Sequence, residues 1–184
     1  MPTTTSSINK REVDWGLGLA LGGLLLASCA PPTPPPQCTV SGLLLKLSEL
    51  PSGMEVDFVN SPAVDSTPNS ETRVYSMSTL RFSQSVYWYS EIDFAERKYE
   101  EVYQWTTGPH WERPPFELTG FAADKLDVGC GPINDGVSCV VVVRYGSAVS
   151  MAIIQFPGGN VKSETVIDLV GAMDEKLTKC VSGE

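Results

Sequence analysis

Histidine is almost missing from this chain: among 184 residues it occurs once, at position 110, in the irregular run "TTGPHWERPPF". A Ser-His-Asp or Cys-His nucleophile would have to use that residue, and no Gly-x-Ser-x-Gly motif accompanies it. Basic runs are missing too. With 13 Lys and Arg against 22 Asp and Glu, the net charge is −9. Phosphate neutralisation needs clustered Lys and Arg, so the composition argues against nucleic-acid binding. Metal-ligand spacing is equally scarce. No Cys-x-x-Cys occurs, and His110 is far in sequence from every cysteine, which argues against zinc. Asp124, Asp127 and Asp135 lack the alternation of an EF-hand loop. "PGGN" at 157–160 lacks the Lys and Ser/Thr of a P-loop and reads as a turn. Glu100-Glu101 reads as a charged helix surface, not a carboxylate dyad set across a cleft. The expectation is a non-enzyme with no cofactor and no metal.

The N-terminal fifth is informative for what it contains. Lys10 and Arg11 are followed by the twelve-residue apolar stretch Trp15–Leu26, "WGLGLALGGLLL". A spanning helix needs ~20 apolar residues, so this length suits the apolar region of an export signal. Leu26-Ala27-Ser28-Cys29 follows, an aliphatic residue, two small ones and a cysteine. This segment resembles a bacterial lipoprotein signal and its lipobox. Glu12 and Asp14, beside the basic pair, depart from that pattern. The resemblance implies cleavage before Cys29, a diacylglyceryl group on its thiol, and anchorage to membrane lipid with the domain outside the cytoplasm. The run Ala30–Pro36, "APPTPPP", cannot join a helix or central strand, because proline fixes φ and lacks an amide donor. Extended at ~3.1 Å per residue, it makes a stalk on the order of 20 Å. The expected organisation is a cleaved signal peptide over 1–28, a lipidated stalk over 29–37, and one globular domain over 38–184.

If Cys29 carries lipid, four of the five cysteines remain: Cys38, Cys130, Cys139 and Cys180. An even number in an oxidising compartment suggests two disulfides, with three possible connectivities. Cys130 and Cys139 bracket the turn-like "GPINDGVS" and are paired here. Cys38 is then left to join Cys180.

Periodicity places the elements. Residues 43–50, "LLLKLSEL", read as a short helix or strand, and 60–72 as a loop by composition. Residues 79–89 read as a strand, with Phe82, Val86 and Trp88 alternating against Tyr87 and Tyr89. Ser90 can cap a helix whose stripe is Ile92, Ala95, Tyr99 and Val102, with Phe94 on the opposite side. "VSCVVVVRY" and "AVSMAIIQF" form a hairpin across Gly146-Ser147. Ser163 caps a last helix with the stripe Val166, Leu169, Val170, Met173, Leu177 and Cys180. The fold class is α+β: an antiparallel sheet of four or more strands, helices packed on one face, and a C-terminal β-hairpin followed by a helix.

Three aromatic residues stand out as candidate ligand- or partner-binding positions: Phe94, Trp105 and Trp111. Phe94 and Trp105 leave the core-facing stripe, and Trp111 either covers the sheet edge or joins them at an apolar cleft. A second resemblance rests on "LSELPSGM" at 47–54, "GFAADKL" at 120–126 and "VVVRYGSAV" at 141–149. In that order they are similar to stretches in the extracytoplasmic sensor-like domains of bacterial envelope lipoproteins and actinobacterial serine/threonine kinases. Ser147 stands where that family usually has Asn. The resemblance implies a cleft-bearing α+β domain with a binding role and no catalytic residue. The function expected is a membrane-anchored envelope lipoprotein whose domain binds a small apolar ligand or an envelope protein. A structural or assembly subunit of an envelope complex is the alternative, and a hydrolase using His110 a distant third.

Overall fold

Valine and isoleucine density decides where the centre of the sheet lies. β5 (Gly136–Tyr145) and β6 (Ala148–Pro157) pair antiparallel across Gly146-Ser147, with Tyr145 opposite Ala148 and Gly146 at φ 52°. Both strands are covered on both faces, so their sequences run almost continuously apolar instead of alternating. The computed structural model describes residues 38–60, 69–106 and 108–182, all within one compact unit. The expected export signal, the lipobox-like run with Cys29 and the expected proline stalk lie outside the described residues.

The remaining strands extend the sheet on either side. β4 (Lys125–Ile133) pairs with β5 through the two-residue turn Asn134-Asp135. On the other flank β3 (Leu80–Trp88) pairs with β6, β2 (Asn69–Met77) with β3, and β1 (Glu55–Asn60) with β2. The order is β1-β2-β3-β6-β5-β4, antiparallel throughout. The last residue of β1 and the first four of β2 replace the two ends of the loop expected over 60–72. The whole of β1 is exposed, so its sequence carries no one-sided apolar pattern.

Helices cover both faces of this sheet instead of gathering on one. α3 (Ser163–Ser182) buries Val166, Leu169, Val170, Met173, Leu177 and Cys180, the stripe its sequence spacing marks. They pack on Cys139, Val141, Val143, Ala152, Ile154 and Phe156. α2 (Ile92–Thr106) lies on the opposite face, where Ala95, Tyr99 and Val102 meet Val140, Val142, Val149 and Met151. Odd and even residues of β5 thus serve different helices, as the two-residue period of a strand requires. Ile92 leaves the expected stripe: at 53% exposed, it precedes the turn of α2 that first touches the sheet.

The stretch expected to be one short helix or strand is two single turns joined by a buried irregular segment. α1 (Val40–Leu43) is capped by the Thr39 hydroxyl, which accepts from the Gly42 N–H at 3.1 Å. A 3-10 turn follows at Leu47–Glu49. Between them Leu44 and Leu45 have no exposed surface. Buried backbone must find partners, and here side chains supply them. Gln84 Oε1 accepts from the Leu45 N–H at 2.8 Å, and Lys176 Nζ donates to the Leu44 carbonyl at 2.7 Å. The Tyr75 hydroxyl donates to the Leu45 carbonyl. Cys38 is bridged to Cys180, so the segment is fixed across the α3 face at its start as well.

Candidate functional site

The sequence-nominated aromatics occupy different surroundings. Phe94 projects from the outer side of α2, 44% exposed, with the Arg97 guanidinium 4.4 Å from its ring centroid. Trp111 is half-buried in the cluster beneath α2, and a Cβ added at Gly131 in β4 would lie 3.4 Å from its ring. It therefore covers the β4 edge. Trp105 belongs to the last turn of α2, and its side chain lies outside the described residues.

Both disulfides take the connectivity read from the sequence, Cys38–Cys180 and Cys130–Cys139. Cys130 and Cys139 are directly opposed on β4 and β5, with Cα atoms 4.0 Å apart. The peptide groups of Cys130 point outward, exchanging bonds of 2.8 and 2.9 Å with Glu112. The pair with Cys139 is therefore a non-hydrogen-bonded one, the closer of the two antiparallel pair types. The same bridge brings the His110 carbonyl so near Gly131 that a Cβ there would lie 2.2 Å from its oxygen.

Titratable groups are deployed structurally. The Tyr99 hydroxyl donates to Asp127, and that of Tyr145 to Asp174, whose carboxylate also accepts from the Ala122 N–H at 2.9 Å. Burial first, then the facing carboxylate, pushes both phenols well above the usual tyrosine range. Tyr89 is pushed up to about 12 by burial, then by Tyr87 and Glu101. Arg144, 8% exposed beneath α2, lies 3.5 Å from Glu96 and 3.9 Å from Asp124. His110 is exposed in its loop. Among the described residues no group of three or more His, Cys, Asp and Glu is placed to hold a metal ion. None of the described helices is long and apolar enough to cross a membrane.

The larger concavities among the described residues are open and of mixed polarity. A cleft of about 440 Å³ runs between Arg113–Thr119 and residues 126–128 of β4. Pro114 and Pro115 divert the chain there, because neither can donate to the ladder that Glu112 begins. A wider groove of about 760 Å³ lies along the charged side of α2, between Asp93, Glu96, Glu100, Glu101 and Lys125. Phe116 is the one aromatic residue lining either.

Among the described residues, three of the exposed large apolar side chains lie together on β1: Val56, Phe58 and Val59, each about half exposed. Val56, Phe58 and Val59 are not among the positions nominated from the sequence; their signal is the run "EVDFVN", β-branched and aromatic residues interleaved with acids. No known family model matches the chain, and no curated protein sequence is significantly similar to it.

Proposed function

We propose that this chain is a lipid-anchored extracytoplasmic protein of the bacterial cell envelope, and that its globular domain binds a protein partner without catalysing a reaction. Cysteine arithmetic carries the reading. Of five cysteines, four are bridged in pairs, which leaves only Cys29, the one that ends the lipobox-like Leu26-Ala27-Ser28. Structural disulfides persist in oxidising compartments, and an unpaired cysteine in an exported protein calls for its own chemistry. Thioether attachment of a diacylglyceryl group supplies it. The proline stalk between Cys29 and Cys38 then sets the reach of the domain above the lipid surface.

A protein partner is favoured over a small apolar ligand by what the surface offers. The two larger described clefts are open to solvent and carry charged side chains along their walls, whereas Val56, Phe58 and Val59 form an exposed apolar strand at a sheet edge. The same observation favours, as the second reading, a structural or assembly subunit of an envelope complex. Metabolic labelling with an alkyne fatty acid tests the anchor. Label should enter the wild-type chain and be lost in Cys29→Ser. Equal labelling of the two, or none of either, would refute it.

A further inference from the structure

β1 is an edge strand with an unusual symmetry. Its partners on β2 assign a face to each residue, because opposed residues of an antiparallel pair share one. Val56 lies opposite Tyr75, which is buried on the α3 side, and Val59 lies opposite Arg73, two residues from Tyr75 and so on the same side. Glu55, Phe58 and Asn60 lie opposite Ser76, Val74 and Thr72, on the α2 side. The register slips between Val56 and Phe58, where Asp57 is the extra residue of a β-bulge. Its carboxylate accepts from the Ser76 hydroxyl at 2.8 Å, so Asp57 is also on the α2 side. From Glu55 to Asn60 the faces therefore read α2, α3, α2, α2, α3, α2, the same in either direction.

We infer that β1 is a self-recognition strand, pairing antiparallel with β1 of a second copy about a two-fold axis between Asp57 and Phe58. That axis sets Glu55 against Asn60, Val56 against Val59 and Asp57 against Phe58 of the other copy, and every pair shares a face. The sheet would continue from six strands to twelve. On the α3 side four valines form one apolar strip, and on the α2 side the two Phe58 rings meet across the axis.

Charge selects the same arrangement. Antiparallel pairing sets each acid of β1 opposite a neutral residue. Parallel in-register pairing would set Glu55 on Glu55 and Asp57 on Asp57, and like charges directly opposite are destabilising. The bulge contributes specificity. An irregular edge ordinarily turns a passing strand away, but a second copy carries the same irregularity in the symmetric place. Neither Lys nor Pro, the usual edge-blunting residues, occurs in β1.

A six-residue edge is small against the ~1,200 Å² at which stable interfaces begin, so the contact is expected to be transient in dilute solution. Tethering copies to one lipid surface would raise their effective concentration. The pairing itself goes beyond the anchor reading and is tested apart from it. Val56→Cys/Val59→Cys in the full chain, treated with a short bismaleimide, should give a covalent homodimer linked between positions 56 and 59. Val59→Cys alone should give several-fold less, because its own symmetry mate is three residues further along the strand. Phe58→Lys added to the double variant should abolish the cross-link while leaving the thermal melt unchanged, since Phe58 is exposed. The inference is overturned by three outcomes: no homodimer from the double variant, equal cross-linking by the single one, or capture of a different protein at these positions.

Discussion

Gln84 has no exposed surface, sits in the middle of β3, and joins three parts of the molecule. Its carbonyl oxygen accepts from Leu45, and its amide nitrogen donates to the Ser150 hydroxyl on β6 at 3.2 Å. Gln84→Leu would leave the Leu45 N–H and the Ser150 hydroxyl without that partner, each costing about 1–3 kcal/mol when buried. A urea unfolding curve should show the unfolding free energy fall by at least about 1–3 kcal/mol, through a lower midpoint with little change in slope. The tyrosines give a pH signature. Below pH 10 the Tyr89 phenol is protonated whether the chain is folded or not, so its contribution is intact there. From 10 to about 12 only the unfolded chain loses the proton, and stability falls as pH rises. Tyr99 and Tyr145 are raised in the same direction and add to the fall. Tyr89→Phe should make the decline of the urea midpoint across this window shallower. None of these roles was legible in the sequence. A glutamine in a strand and three consecutive leucines carry no period that pairs them, because the pairing spans 39 residues.

Elements whose burial leaves a local mark were the legible ones. The α3 stripe stands where its helical spacing put it, and the β5–β6 hairpin where two long apolar runs flank a Gly-Ser turn. β1 and β2 were obscured for the converse reason: a strand at a solvated edge lacks the one-sided burial that writes an alternating pattern. The division of helices between two faces was equally hidden. A stripe on α2 says that it packs, but not on which side of a sheet whose central strands are apolar on both. The disulfides differ in what they tie. Cys38–Cys180 spans 142 residues and Cys130–Cys139 spans 9. Chain entropy assigns them about 5 and about 3 kcal/mol. Paired serine substitutions should therefore lower the guanidinium midpoint more for Cys38/Cys180, and that variant should also loosen the segment over the α3 face. An equal loss from both pairs would contradict this ranking. Gly131→Ala tests the other edge. Its Cβ would meet backbone at His110, so proteolysis in the 108–112 loop should become faster while the sheet keeps its far-UV signature.

At the scale of the whole molecule, the proposed anchor and the proposed interaction surface belong to separate parts of the chain. The lipobox-like run and the proline run precede Cys38, which is bridged to the last helix. Force applied through the stalk would reach α3 and the sheet core directly, without first unravelling the Cys38–Leu50 segment. The apolar edge at β1 lies at the opposite end of the sheet from β4, and no described element pairs with its outer side. The proposed function is legible in the sequence only as an address, in a few residues around Cys29. The self-pairing proposed for β1 depends on register and a bulge, which composition does not encode. Intact-mass spectrometry of the chain extracted from membranes addresses the central claim most directly. The account predicts a species starting at Cys29, carrying a diacylglyceryl mass, with the other four cysteines oxidised in two bridges. A chain that retains residues 1–28, or that bears a free thiol at Cys29, would contradict it.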